Sequence, residues 1–117
     1  MSLRDDSVPL RHMRDHCAEG AAVAAAHTRG DLDADRMLAL ALTRIVEIVG
    51  EAASRVSEDT RSAHPEIPWK QVVGTGNRLI HGYDNVDMDI LWRIVSEELG
   101  PLAKHLDAIL GAPLFHE

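Results

Sequence analysis

The chain has 117 residues, a length typical of a single domain. Its 12 Lys and Arg against 19 Asp and Glu give a net charge of −7 at neutral pH. This acidic balance excludes RNA binding through bulk charge, so any RNA contact requires a local basic patch.

The cysteine count and the apolar runs limit the cellular setting. Cys17 is the only cysteine, so an intrachain disulfide is impossible, as is typical of proteins from a reducing compartment. No apolar run reaches the roughly 18–20 residues that a bilayer span requires. The first ten residues, MSLRDDSVPL, lack the apolar core of a signal peptide. We therefore expect a cytoplasmic protein without membrane contact.

The apolar residues recur with a helical period, and strand signals are weak. The first predicted helix covers about residues 9–27, with Ser7 as its cap and Pro9 in its first turn. The stretch TRGDLD (28–33) breaks the helical pattern. The predicted inward stripe of this helix consists of Leu10, Met13, Cys17, Ala21 and Ala24.

The second predicted helix, about residues 34–56, is apolar over much of its circumference. Such a helix is either central in the fold or shared with another subunit. Its polar stripe consists of Arg44, Glu47, Glu51 and Arg55. Its predicted inward face consists of Leu38, Leu42, Ile45, Val49, Ala52 and Val56, widened by Met37, Leu40, Ile48 and Ala53.

The remaining segments predict three further helices. A short helix follows Ser57 over 58–64, a proline turn occupies 65–69, and a helix interrupted or loosened by Gly74 and Gly76 runs over about 69–81. The last helix starts after an Asp87 cap and ends near Leu110, with a kink expected at Pro101. Together these segments predict one all-α domain over 1–117, a four- to five-helix up-and-down bundle with loose tails at 1–7 and 111–117.

The stretch GNRLIHGY (76–83) holds the densest run of reactive side chains. On a continuous helix, Asn77 and Arg78 share a face with His81, while Leu79 and Ile80 point toward the core. A guanidinium can hold a phosphate, and a histidine can exchange a proton near neutral pH. The pattern therefore indicates either a phosphodiester-cleaving site or a helix end whose cations offset the dipole, with Gly82 near the C-cap.

Two other groups of polar residues are candidate sites, each with a simpler alternative. His12 and His16 have a zinc-binding spacing, but Met13 replaces the glutamate of a HExxH motif, which favours two solvated histidines and no metal. Glu51 is a candidate partner for Arg78 or His81, because a carboxylate on so apolar a helix needs a cation if it is buried. The alternative is charge pairing along its own helix.

Two stretches resemble the HepT-like branch of the HEPN superfamily of small helical proteins. They are PEIPWKQVVGTGNRLIHGYDNVDMDILWRIV (65–95) and RIVEIVGEAASRVS (44–57). PLRHM (9–13) is similar to the start of the family domain, so the resemblance covers roughly residues 8–110.

This resemblance implies a helical homodimer formed through the motif-bearing helices. It also implies a toxin of a type VII toxin–antitoxin pair that cleaves RNA, such as tRNA or mRNA, without metal or cofactor. The implied partner is a minimal nucleotidyltransferase antitoxin that adenylylates the motif tyrosine. The family motif is an arginine, four residues, a histidine, any residue and a tyrosine; His81 and Tyr83 match its last two positions, and Asn77 matches the polar residue after the arginine.

The motif arginine is missing, because Gly76 occupies its position. Arg78 lies two positions later, which is about 200° around a helix. Two readings follow: Arg78 contacts the phosphate from a distorted helix, or the chain is a catalytically impaired helical dimer that binds the nucleotidyltransferase and is modified on Tyr83.

Overall fold

A computed structural model describes residues 6–80 and 85–111, and within them the chain is all-α, as the sequence predicts. Ile80 and Val86 form an isolated antiparallel bridge. No described helix combines the length and apolarity that crossing a membrane requires. The helices are α1 (Ser7–Ala25), α2 (Arg29–Ala34), α3 (Arg36–Ser54), α4 (Glu58–Ala63), α5 (Trp69–Val73), α6 (Thr75–Leu79), α7 (Met88–Arg93) and α8 (Leu99–Leu110), with a π-helical turn at Ile94–Glu98 between α7 and α8.

The core forms where α1 packs against α3 and α8. Gly20 allows this close approach, because a Cβ there would lie 2.6 Å from Leu99 Cδ1 and 3.1 Å from Ile45 Cγ2. The predicted inward stripe of α1 is confirmed except at Ala21, which is half-buried. On α3, Ala53 is buried as expected, but Met37 and Leu40 are 73% and 48% exposed.

The helix α2 was not predicted from the sequence, because TRGDLD shows only as a break in the helical pattern of apolar residues. Its start is stabilised by a side-chain contact within the break itself: the Thr28 amide donates to the Asp31 carboxylate at 2.8 Å. This contact is one half of a capping box, and Thr28 and Asp31 have the required spacing. Leu32 is buried against the core, so the short helix contributes an apolar side chain to it.

The helix predicted over 69–81 is interrupted at Gly74, one of the two glycines expected to interrupt or loosen it, and its last turn ends earlier than expected. Gly74 separates α5 from α6, and α6 ends at Leu79 because Ile80 is extended, with φ −88° and ψ 124°. The Asp87 amide then donates to the Leu79 carbonyl at 2.8 Å, which ties the two sides of segment 81–84 together. Ile80 is 51% exposed instead of pointing into the core.

The predicted Asp87 cap is confirmed, since its carboxylate accepts from the Ile90 amide at 3.0 Å. The helix after it is continuous to Leu110 but changes to π geometry at Ile94–Glu98, just before Pro101. Proline has no amide hydrogen and its ring crowds the carbonyl four residues earlier. The wider turn before Pro101 is consistent with accommodation of that clash, and the kink expected near the proline stays a prediction.

Part of the N-terminal segment expected to be a loose tail belongs to the fold. Ser7 begins α1, and Asp6 is completely buried. The Asp6 carboxylate accepts from the Ser57 amide at 3.1 Å, from the Ser57 hydroxyl at 2.6 Å and from the Thr60 hydroxyl. Residues 1–5 and 112–117, the rest of the two expected tails apart from Gly111, lie outside the described residues.

Candidate functional site

The motif residues divide between described and undescribed positions. Asn77 and Arg78 lie on α6, where Asn77 is exposed and Arg78 is half-buried. His81 and Tyr83, the predicted catalytic and modified residues, lie outside the described residues. Because α6 ends at Leu79, helical spacing does not extend from Arg78 to position 81.

Arg78 is held by Glu98, a residue that the sequence analysis did not single out. Nη1 donates to Oε1 at 3.0 Å and Nη2 donates to Oε2 at 3.1 Å, the two-point geometry that a guanidinium forms with a carboxylate. These hydrogen bonds raise the pKa of Arg78 above its ordinary value, although partial burial acts in the opposite direction. Gln71 Nε2 also donates to Glu98 Oε1, at 3.4 Å.

The expected pairing of Glu51 with Arg78 is therefore wrong within the chain. Glu51 instead accepts from Arg55 at 3.2 Å, and its side chain is 58% exposed. Its neighbour on the polar stripe, Glu47, lies 3.8 Å from Arg44. The stripe is thus a solvated face with intrahelical pairs, the alternative that the sequence left open. A contact between Glu51 and His81 lies outside the described residues.

Gly76 stands on α6 with open space around it. A Cβ built at this position would meet nothing within 4 Å. Position 76 lacks the arginine of the family motif because glycine occupies it. No neighbouring atom would clash with a Cβ there. The φ angle of Gly76 lies outside the left-handed region, so the backbone at this position does not require glycine.

A groove of about 540 Å³ opens beside the motif segment. Ile80 and Asn85, the described residues on either side of 81–84, both line it. Arg36, the first residue of α3, lines it as well and is exposed. The other lining residues are Leu32, Asp33, Ala39, Leu40, Thr43, Glu47, Val86 and Met88.

A second cavity, of about 270 Å³, is lined in part by Glu98, the partner of Arg78. Its floor is apolar, with Val46, Val72 and Leu102 among its lining. Carboxylates of Glu66, Glu97 and Glu98 line it too. No arginine or lysine is among its described lining residues, whereas Arg36 lines the groove beside Ile80, so the groove is the better candidate for contact with phosphate.

His12 and His16 have the arrangement of two surface histidines. His16 Nδ1 lies 2.8 Å from the His12 carbonyl oxygen, within hydrogen-bond distance. His12 is exposed. Within the part of the chain that the structure describes, no three His, Cys, Asp or Glu side chains come together as metal ligands.

Two residues of the candidate site, Glu98 and Arg36, were not predicted from the sequence. Glu98 lies 20 positions from Arg78, and the π turn sets its direction, so neither spacing nor helical period reveals the pair. Arg36 did leave a signal. It begins a helix, where a cation is electrostatically disfavoured, and such a breach of a local rule often marks a functional position.

The comparisons with known proteins agree with this architecture. At 37% identity over 75 residues, the chain is similar to a "Putative RNase" from Methanocaldococcus jannaschii, with 64% of this chain and 69% of the relative covered. It is 38% identical over 72 residues to the "Probable ribonuclease HepT" of Thermococcus cleftensis, which covers 62% of this chain and 66% of the relative.

A "Putative RNase" from Caldanaerobacter subterraneus subsp. tengcongensis is 35% identical over 80 residues, covering 68% of this chain and 71% of the relative. No solved structure gives a significant match. The family described as "Ribonuclease HepT-like" matches residues 13–109, a span from α1 to the end of α8 that contains the motif segment and the groove beside it. The chain therefore belongs to the HepT-like ribonuclease family.

Proposed function

We propose that this chain is the toxin component of a type VII HEPN/nucleotidyltransferase toxin–antitoxin pair and cleaves RNA, such as tRNA or mRNA, without a metal ion. The observation that carries the proposal is membership of a ribonuclease family together with His81 at the motif position. The groove that Ile80 and Asn85 line supports it, because it provides an open surface directly beside the motif segment.

The chemistry is an internal phosphoryl transfer within the RNA. The ribose 2′-oxygen bonds to the adjacent phosphorus, and the bond from phosphorus to the 5′-oxygen of the next nucleotide breaks. His81 takes the proton of the 2′-hydroxyl as general base or supplies one to the leaving 5′-oxygen as general acid. Such proton transfer typically contributes about 10²–10⁴-fold to the rate.

Arg78 and Asn77 have supporting roles in this proposal. Because Glu98 occupies one N–H of each Arg78 Nη atom, the phosphate contact uses the remaining N–H groups of the same guanidinium. Exposed Asn77 orients the scissile group. The absent side chain at Gly76 weakens the site, since loss of one preorganised donor at a reacting oxyanion costs about 10²–10³-fold in rate.

We also propose that two copies meet over the exposed apolar surface beside the groove. Met37, Leu40 and Ile80 are 73%, 48% and 51% exposed, although large apolar side chains are normally buried. Leu40 and Ile80 line the groove, and Met37 lies one turn from Leu40 on α3. A homodimer through this surface covers these side chains and places two motif segments close together.

The experiment is RNA cleavage by the purified chain in excess chelator. Cleavage that continues in chelator and falls at least ~10²-fold in His81→Ala is the expected result. His105→Ala is the matched control, since His105 is an exposed histidine on α8 that lines the acidic cavity and not the groove. Intact RNA after prolonged incubation with the wild-type dimer contradicts the proposal.

Gly76 also favours a second candidate function, a catalytically impaired dimer that binds its nucleotidyltransferase and is adenylylated on Tyr83. The bidentate commitment of Arg78 to Glu98 supports this candidate, because it reduces the cations available for phosphate. Mass spectrometry after incubation with the partner and ATP tests it. A mass increase of one adenylyl group that Tyr83→Phe abolishes is expected, and an unmodified Tyr83 contradicts it.

A further inference from the structure

The groove beside the motif segment contains an arginine, Arg36, that forms no ion pair with any acidic side chain of residues 6–80 and 85–111. Arg36 is exposed at the first position of α3. In the described part of the chain it forms no ion pair, whereas Arg14, Arg29 and Arg78 each bond a carboxylate within 3.3 Å. Its guanidinium is therefore available to a ligand.

The acidic residues of the same groove have cationic partners of their own. Asp33 lies 3.1 Å from Arg29, and Glu47 lies 3.8 Å from Arg44. Among the described residues that line the groove, Arg36 is thus a cation that neither carboxylate occupies. In a chain whose overall charge is −7, a phosphate contact depends on such a local cation.

The position of Arg36 is unfavourable for the helix itself. A cation at a helix N-terminus meets the positive end of the dipole. Asp35, the preceding residue, already caps the helix through the Leu38 amide at 3.1 Å, and it does not bond Arg36. The fold thus gains no described contact from this arginine.

We propose that Arg36 binds a phosphate of the RNA substrate at the groove beside the motif segment. Met88, an apolar residue of the groove that lies outside the proposed contact between two copies, offers a surface for the adjoining ribose or base. The proposal rests on the proposed ribonuclease function for the identity of its ligand. It concerns binding, so it can be measured without cleavage.

The experiment measures the binding of a short fluorescein-labelled single-stranded RNA whose ribose 2′-oxygens are methylated, which prevents cleavage. The dissociation constant is determined by anisotropy between about 50 and 200 mM KCl. We expect Arg36→Gln to weaken binding about 10-fold at the lowest salt. The slope of log K against log salt falls in magnitude by about 0.7, the value for one phosphate contact on a single strand.

Two further variants make the result specific. Arg93→Gln removes an exposed arginine that likewise has no described ion pair but does not line the groove, and it should bind RNA as the wild type does. Arg36→Lys keeps the charge and should restore the salt slope, with weaker binding than arginine because it lacks the planar fork. All variants are compared at equal oligomer mass, measured by light scattering.

An unchanged salt slope in Arg36→Gln overturns the inference, as does the same loss in Arg93→Gln, or a wild type that does not bind the RNA. The ribonuclease proposal fails separately. A wild type that binds RNA through Arg36 but leaves unmodified RNA intact refutes cleavage and retains the binding site.

Discussion

Asp6 fastens the start of α1 to the loop before α4. Its carboxylate is completely buried and accepts hydrogen bonds from Ser57 and Thr60, which lie more than fifty positions away in the sequence. Burial alone raises the pKa of Asp6, but the hydrogen bonds from Ser57 and Thr60 outweigh it, and the pKa lies below its ordinary value. The folded state therefore favours the ionised carboxylate.

This carboxylate makes stability depend on pH in a defined direction. Because its pKa is lower in the folded chain, its contribution is complete above the unfolded pKa and is lost as the pH falls through the folded value. We expect Asp6→Ala to lower the free energy of unfolding at pH 7 by about 1–3 kcal/mol, because it leaves buried donors without an acceptor. Urea unfolding at pH 7 and at pH 3 measures both the loss and its decrease in acid.

Glu19→Gln is the control for Asp6→Ala, since Glu19 is exposed on the same helix. It should change the free energy of unfolding by less than about 0.5 kcal/mol at either pH. If Asp6→Ala behaves like Glu19→Gln, the proposed anchoring of α1 is wrong.

The surroundings of Gly76 and Gly50 predict opposite effects of a glycine-to-alanine substitution on stability. A Cβ at Gly76 meets open space, so Gly76→Ala should stabilise the chain by about 0.5–1 kcal/mol through a stiffer helix. At Gly50 a Cβ would lie 2.9 Å from Thr75 Oγ1 and 3.2 Å from the Val72 carbonyl oxygen. Gly50→Ala should therefore destabilise by about 1–3 kcal/mol. Thermal unfolding of both variants gives the signs, and equal signs would contradict this account of Gly76.

Sequence reasoning at the residue scale located the motif and its missing arginine. It could not find Glu98, because the Arg78–Glu98 contact depends on tertiary packing across 20 positions. It also placed Ile80 toward the core from its position on a continuous helix, whereas an extended residue after a helix end no longer follows the helical period. The change of backbone conformation at one residue was enough to reverse its environment.

At the scale of elements, the Arg78–Glu98 pair connects α6 to the π turn. The two side chains are 27% and 29% exposed, so solvent screens the pair only in part. A double-mutant cycle of Arg78→Gln and Glu98→Gln should give a coupling of about 0.5–1 kcal/mol in the free energy of unfolding.

Glu97→Gln is the matched control for this pair, since Glu97 lies next to Glu98 on the π turn and is exposed. A cycle of Arg78→Gln with Glu97→Gln should show coupling near zero, and coupling of equal size in both cycles would contradict a specific pair. Glu98→Gln should also reduce protection of the Asp87 amide, which donates to the end of α6, against hydrogen exchange.

The helix boundaries show which elements periodicity can predict. The long α1 and α3 differ from the predicted ranges by only two residues at each end, because their stripes repeat over five turns. The short α2, α5 and α6 have too few turns to show a period, so local capping and Gly74 decide their limits. The π turn depends on Pro101 and on packing together, and apolar spacing does not report it.

At the scale of the whole molecule, the exposed apolar surface on α3 predicts the oligomeric state. Leu40→Asp places a charge beside Ile80 at the proposed contact between two copies, and burying an unpaired charge is strongly unfavourable. Size-exclusion chromatography with light scattering should show a dimer for the wild type and a monomer for Leu40→Asp. Val8→Asp changes another exposed apolar residue, on α1, and should remain dimeric. A wild-type monomer contradicts the proposed dimer.

The bundle, its central helix and its family followed from the sequence because they depend on apolar pattern and on long motifs. The groove beside the motif segment did not follow from the sequence. Arg36 and Ile80 are 44 positions apart and meet at one groove only through the packing of α2, α3 and α7. The ion pairs near that groove, such as Arg29 with Asp33 and Asp89, decide which of its charged side chains lack a partner. These pairs form only in the folded chain.

The most direct test of the account is a cycle of Gly76→Arg and His81→Ala, with RNA cleavage measured in chelator. A Cβ at position 76 meets nothing within 4 Å, so the first atom of a side chain there has no clash. The account predicts that Gly76→Arg raises the cleavage rate at least ~10-fold, and that His81→Ala removes cleavage in both backgrounds. Cleavage that persists in the Gly76→Arg/His81→Ala double variant, or no cleavage by Gly76→Arg itself, would contradict it.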